Sequence, residues 1–95
     1  MAVTRINHFE SKVGADQALY EFLQNVIAIV KGCDGCIDCS LLRSVDSTES
    51  LVIIEQWSSI EAHQKAAKVI PPEQMSEVFP LLAKPPAGVY YRAGS

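Results

Sequence analysis

The sequence predicts an α+β domain, a four-stranded antiparallel sheet with its helices gathered on one face. Three observations carry this. Short runs rich in β-branched residues lie near both ends of the chain and twice in its middle. A long stretch with helical apolar spacing separates the first run from the second. The second and third runs are joined by a polar turn too short to hold a helix. With 95 residues there is room for one domain, spanning 1–95, and one modest core.

Val3 to Phe9 alternates and carries β-formers, which makes it the first strand. Ser11 to Gly14 is a loop. From Ala15 to Lys31, the residues Leu19, Phe22, Leu23, Val26, Ile27 and Val30 fall on one face of an amphipathic helix. Lys31 suits the negative end of the helix dipole, and Gly32 can stop the helix. Gly35 to Val45 reads as the second strand. Asp46-Ser47-Thr48-Glu49-Ser50 turns it back into the third, Leu51 to Trp57. Ser58-x-x-Glu61 has the capping-box pattern, so a second helix should run from Ser59 to about Val69. Pro71-Pro72 ends it. Met75, Val78, Phe79 and Leu82 give a short apolar helical face, which Pro72 can begin and Pro80 should break or kink. Lys84-Pro85-Pro86 is a stiff connection to the last strand, Gly88 to Arg92. The order β-α-β-β-α-(α)-β is the split βαβ pattern of the ferredoxin-like fold. In the third strand, Leu51 and Ile53 face one way while Val52 and Ile54 face the other. A strand apolar on both sides in so short a chain implies a second copy, so the expectation is a homodimer whose sheets pack together.

Composition narrows the function classes. A net charge of −3 and the lack of any Lys/Arg run exclude a general nucleic-acid binder. The N-terminus has no apolar core of secretory length, and the longest apolar stretch, Val26 to Val30, is far too short to span a bilayer. The expectation is a soluble cytoplasmic protein without a membrane partner. The spacing Cys33-x2-Cys36-x2-Cys39 invites a metal reading, but such sites need four ligands and no fourth Cys exists. These residues read instead as small buried or half-buried thiols, with Cys36 and Cys39 on opposite faces of the second strand. No nucleotide-binding glycine fingerprint and no set of metal ligands is present, so no cofactor is expected.

The segment Val52 to His63 is where a site should be sought. Trp57, the only tryptophan, sits where the third strand hands over to the helix. His63 shares a helix face with Ile60, Ala67 and Ile70 and therefore points toward the sheet. It is either a general base in an apolar cavity or a core histidine satisfied by a backbone carbonyl. Trp57 either stacks on a flat aromatic ligand or plugs the core. Asn7 falls with Val3, Arg5 and Phe9 on one face of the first strand, opposite Thr4, Ile6 and His8. It is an orienting amide or a rim residue. Tyr90 and Arg92 offer a hydroxyl and a cation for substrate, or pack at the rim or dimer interface. Ala62, Ala66 and Ala67 leave space beside the second helix, or allow it to pack closely. The candidates are thus His63 and Asn7 for catalysis and Trp57, Tyr90 and Arg92 for substrate binding.

Several of these segments together resemble a known family. They are Gly35-Cys36 opening the second strand, the hairpin into SLVIIEQW (Ser50 to Trp57), the Ser-Ser-Ile-Glu-Ala helix start and the closing Val89-Tyr90-Tyr91. Over nearly its whole length the chain resembles the antibiotic biosynthesis monooxygenase superfamily of dimeric α+β barrels. The resemblance implies one of three functions. One is cofactor-independent monooxygenation of a quinol-like or polycyclic aromatic by O2. Another is a non-catalytic dimeric module for small molecules or partner proteins. The third is haem binding and degradation. The haem-degrading branch is similar at Asn7 and Trp57, but its axial His comes nine or ten positions after the Trp, where this chain has Ala66 and Ala67. His63 arrives six positions after Trp57.

Overall fold

The computed structural model describes residues 2–69 and 76–93. Its elements are β1 (Val3–Glu10), α1 (Asp16–Lys31), β2 (Cys36–Arg43), β3 (Ser50–Trp57), α2 (Ile60–Ala67), a 3₁₀ turn (Phe79–Leu81) and β4 (Ala87–Tyr91). The strands form one antiparallel sheet in the order β2-β3-β1-β4. This is the ferredoxin-like α+β arrangement. In it β1 is central, with Val3 opposite Trp57, Arg5 opposite both Glu55 and Tyr90, and Asn7 opposite both Ile53 and Gly88.

The core lies between α1 and one face of the sheet. α1 buries Leu19, Leu23, Val26 and Val30, the spacing of a single helical stripe. Burying each leucine contributes roughly 1.5–3 kcal/mol. β3 alternates along its whole length. Leu51, Ile53, Glu55 and Trp57 are buried under the helices, while Val52, Ile54 and Gln56 are half-buried on the other side. That second face also carries Ile6, Leu42, Val89 and Tyr91, the last three exposed. The described residues leave it uncovered.

Several boundaries depart from the sequence reading. β2 is shorter than Gly35–Val45, and a bulge at Ile37 shifts its register against β3. The extra residue restores parity, so Cys36 stands opposite Trp57 and Cys39 opposite Glu55, both on the helix-covered face. The expectation that these thiols point to opposite faces is therefore wrong. Burial, then Glu55, pushes the Cys39 thiol up to about 12, so it is an unreactive core group. The cap of α2 is Ser59, not Ser58: its Oγ accepts from the Ala62 N–H at 3.1 Å. Ser58 is engaged elsewhere, its N–H donating to the Gly35 carbonyl at 2.8 Å. Gly35 has φ +88, and a Cβ there would lie 2.6 Å from the Ala62 Cβ. α2 ends at Ala67, two residues short of Val69. Of the expected short apolar helix, Ser76 is helical and Phe79–Leu81 forms the 3₁₀ turn, with Pro80 in its first positions. Val78 and Leu82 are buried, but Phe79 is exposed. β4 begins and ends one residue earlier than Gly88–Arg92. Ile70, Pro71, Pro72 and Met75 lie outside the described residues. Among the described residues, no helix is long and apolar enough to cross a membrane.

Candidate active site

α2 carries small side chains where it faces the sheet, and a cavity of about 290 Å³ opens there. Its apolar wall includes Phe9, Phe22, Val26, Ile53, Trp57 and Val78, and its polar groups are Arg5, Asn7, Glu55 and His63. Strand alternation puts Arg5, Asn7, Glu55 and Trp57 on this face, and helix spacing brings His63 down onto them.

Glu55 is the hub of the polar groups. It is only 5% exposed. Its Oε1 accepts the indole N–H of Trp57 at 2.7 Å, and its Oε2 accepts the Asn7 amide at 3.0 Å. Burial raises its pKa, while Trp57, Arg5 and Asn7 oppose that shift. His63 Nε2 lies 4.0 Å from Glu55 Oε1. His63 Nδ1 is in hydrogen-bond contact with the Tyr90 hydroxyl. The imidazole packs edge-on between Trp57 and Tyr90, with centroid separations of 5.4 and 5.3 Å. Burial, and then Arg5, holds its pKa below the ordinary histidine value, so the ring is neutral at pH 7. Glu55, His63 and Tyr90 thus form a line of groups able to hold and pass a proton, inside an apolar enclosure.

Sequence reasoning and structure meet unevenly here. Three of the five candidates, Asn7, Trp57 and His63, gather around Glu55, and Tyr90 joins them through His63. Arg92 follows β4 as an exposed residue and is not part of the cavity wall. His63 meets a tyrosine and a carboxylate; the backbone-carbonyl partner of the core-histidine reading is not seen. Glu55 and Arg5 were missed. A charge on the inward register of an otherwise apolar strand, between Ile53 and Trp57, was the signal for Glu55. Arg5 shares the parity of Asn7 and was legible in the same way. Among the described residues there is no group of three or more His, Cys, Asp or Glu side chains that could hold a metal ion.

The sequence profile described as antibiotic biosynthesis monooxygenase matches residues 2–68. The chain belongs to that family. No curated protein matches this antibiotic biosynthesis monooxygenase chain by sequence. Among solved structures it is similar to Rv0793 from Mycobacterium tuberculosis, 26% identical with a TM-score of 0.86, over 100% of this chain and 97% of that one. SnoaB, a cofactor-independent oxygenase from Streptomyces nogalater, is 22% identical with a TM-score of 0.83, over 99% and 94%. PA3566 from Pseudomonas aeruginosa is 20% identical with a TM-score of 0.78, over 97% and 95%. The last two identities bear on the fold alone. Membership of the antibiotic biosynthesis monooxygenase family supports a monooxygenase-like function.

Proposed function

We propose that this protein is a cofactor-independent monooxygenase that oxidises a quinol-like or polycyclic aromatic small molecule with O2. The observation that carries this reading is an imidazole in an apolar cavity, held between a buried carboxylate and a phenol. Trp57 and Phe22 offer flat surfaces for an aromatic ring. With its own proton on Nδ1 and donated to the Tyr90 oxygen, His63 presents the Nε2 lone pair as the base. The imidazolium formed is stabilised by Glu55, 4.0 Å away. The substrate loses a proton to Nε2, from the hydroxyl of a quinol or the CH2 carbon of an anthrone-type ring, and the anion transfers one electron to O2. The radical pair combines to a hydroperoxide, and loss of water leaves a carbonyl. A ring carbon bearing two hydrogens, or a quinol ring oxidised to the hydroxyquinone at a C–H carbon, supplies all four electrons, so one oxygen atom enters the product, the other leaves as water, and no outside reductant is used. Asn7 orients Glu55, and the enclosure excludes bulk water from the intermediate.

Oxygen consumption with a panel of quinols and anthrone-type substrates tests this. The expected result is one atom of label from 18O2 in the product; no uptake with any member overturns the reading. SnoaB, a cofactor-independent oxygenase, has the same fold, which supports this choice among the family's chemistries. No observation favours haem: the His63 nitrogens face Tyr90 and Glu55, and a haem titration should give no saturable Soret shift. We also propose that the enzyme works as a homodimer, with the uncovered face of Ile6, Val52, Ile54 and Val89 as the interface. Ile54→Lys should then halve the mass seen by sedimentation, and a wild-type monomer would end that proposal.

A further inference from the structure

The cavity wall holds a cation that, among the described residues, makes no hydrogen bond or ion pair with the proton-handling groups. Arg5 stands opposite Glu55 in one register and Tyr90 in the other. Among the described residues no carboxylate comes within ion-pair distance of it. Its Nε is buried without a hydrogen-bond partner. Glu55 directs its two oxygens to Trp57 and Asn7 instead. The guanidinium rests over the Tyr90 ring, 4.6 Å from its centroid. Beneath it is Gly88, where a Cβ would run into the guanidinium and into Asn7 Oδ1. The missing side chain therefore lets the guanidinium and the Asn7 amide lie against this strand, facing the cavity. A half-buried guanidinium with an unmet N–H is a strong site for an anionic oxygen.

We propose that Arg5 is the anion-binding residue of the cavity, and that its ligand is an aromatic carrying an ionised oxygen, a phenolate or enolate, seated on the guanidinium above Gly88. This rests on the small-molecule reading of the same cavity. Glu55, on the neighbouring strand, repels that oxygen, so the two charges fix which end of the ligand enters first. Charge spread from a deprotonated ring carbon onto that oxygen is met by a cation already in place.

Trp57 is the only tryptophan and lies in the cavity wall, so its fluorescence reports occupancy. The probes are 2-hydroxy-1,4-naphthoquinone, ionised at pH 7, and its neutral 2-methoxy ether. Wild-type protein should bind the ionised probe about tenfold more tightly than the ether. Arg5→Gln should bring the two within about twofold, with the ether unchanged. Arg43→Gln, which removes a guanidinium stacked on Tyr20 outside the cavity, should keep the preference. Equal affinities in the wild type, or a preference that survives Arg5→Gln, overturn the proposal. If circular dichroism shows Arg5→Gln unfolded, Gly88→Ala displaces the guanidinium while keeping its charge and is read in the same way. Neither probe is a quinol. A preserved preference with no oxygen uptake from any quinol would therefore end the oxygenase reading and leave the anion site standing.

Discussion

The two helices lie over the same sheet and do opposite things with it. α1 is 16 residues long and drives Leu19, Leu23, Val26 and Val30 into the core. α2 is eight residues long and buries Ala66 alone. Where one helix offers branched side chains, the other offers alanines and one imidazole. The cavity is the volume that α2 leaves unfilled, and the stability of the domain rests mostly on α1. The same contrast holds for polar groups: Asn7, Glu55 and His63, facing the cavity, are joined through Glu55, whereas α1 buries apolar side chains only. A small domain can keep an open site because the two tasks fall to different elements.

The contrast can be broken in four ways, from the largest effect to the smallest. Leu19→Ala removes a side chain with no exposed surface and should cost about 3 kcal/mol in urea denaturation. A cost below about 1 kcal/mol would mean that α1 does not carry the core. His63→Ala should lower kcat about a hundredfold and leave the urea midpoint almost unmoved; an undiminished rate removes His63 as the base. Ala67→Leu grows into the cavity from α2 and should weaken binding of the neutral naphthoquinone ether about tenfold, with a stability change of less than about 1 kcal/mol. Equal binding would show that this part of the wall is not used. Last comes pH. A base must be unprotonated, so the rate rises with pH through the lowered pKa of His63, and the acid limb should lie below about 6.5. Arg5→Gln should move that limb upward, because Arg5 opposes protonation of His63. A limb that stays in place would show that the cation is not coupled to the imidazole.

Most of the fold was legible because its signals are local. The alternation of β3, the stripe of α1 and the polar hairpin turn each occupy a few adjacent residues, and together they leave one topology. The bulge at Ile37 was not legible, since no glycine or proline marks it and only pairing with β3 reveals it. Half of the site was readable in the same local way: Asn7 by parity, His63 by helix spacing and Trp57 by its place at a junction. What joins them is not local. Asn7 and Glu55 are 48 positions apart, and His63 and Tyr90 are 27 apart, so their contacts come from the sheet order. Glu55 passed as one more polar residue in Glu55-Gln56-Trp57 until its burial was seen. Arg92 was chosen for its charge near the last strand, and the sheet ends before it can turn inward.

Gly35 bears on how this site can diversify. Its hydrogen sits where any larger group would press on Ala62, and its carbonyl holds Ser58. The start of α2 is pinned there, so the helix cannot retreat from the sheet without releasing its own first turn. Changes in ligand size must then come from substitutions along the inner face of α2, at positions 63, 66 and 67, which alter the lining while the frame stays put. A descendant of this chain could reshape the cavity within a few mutations, and each step would leave the close contact at position 35 untouched.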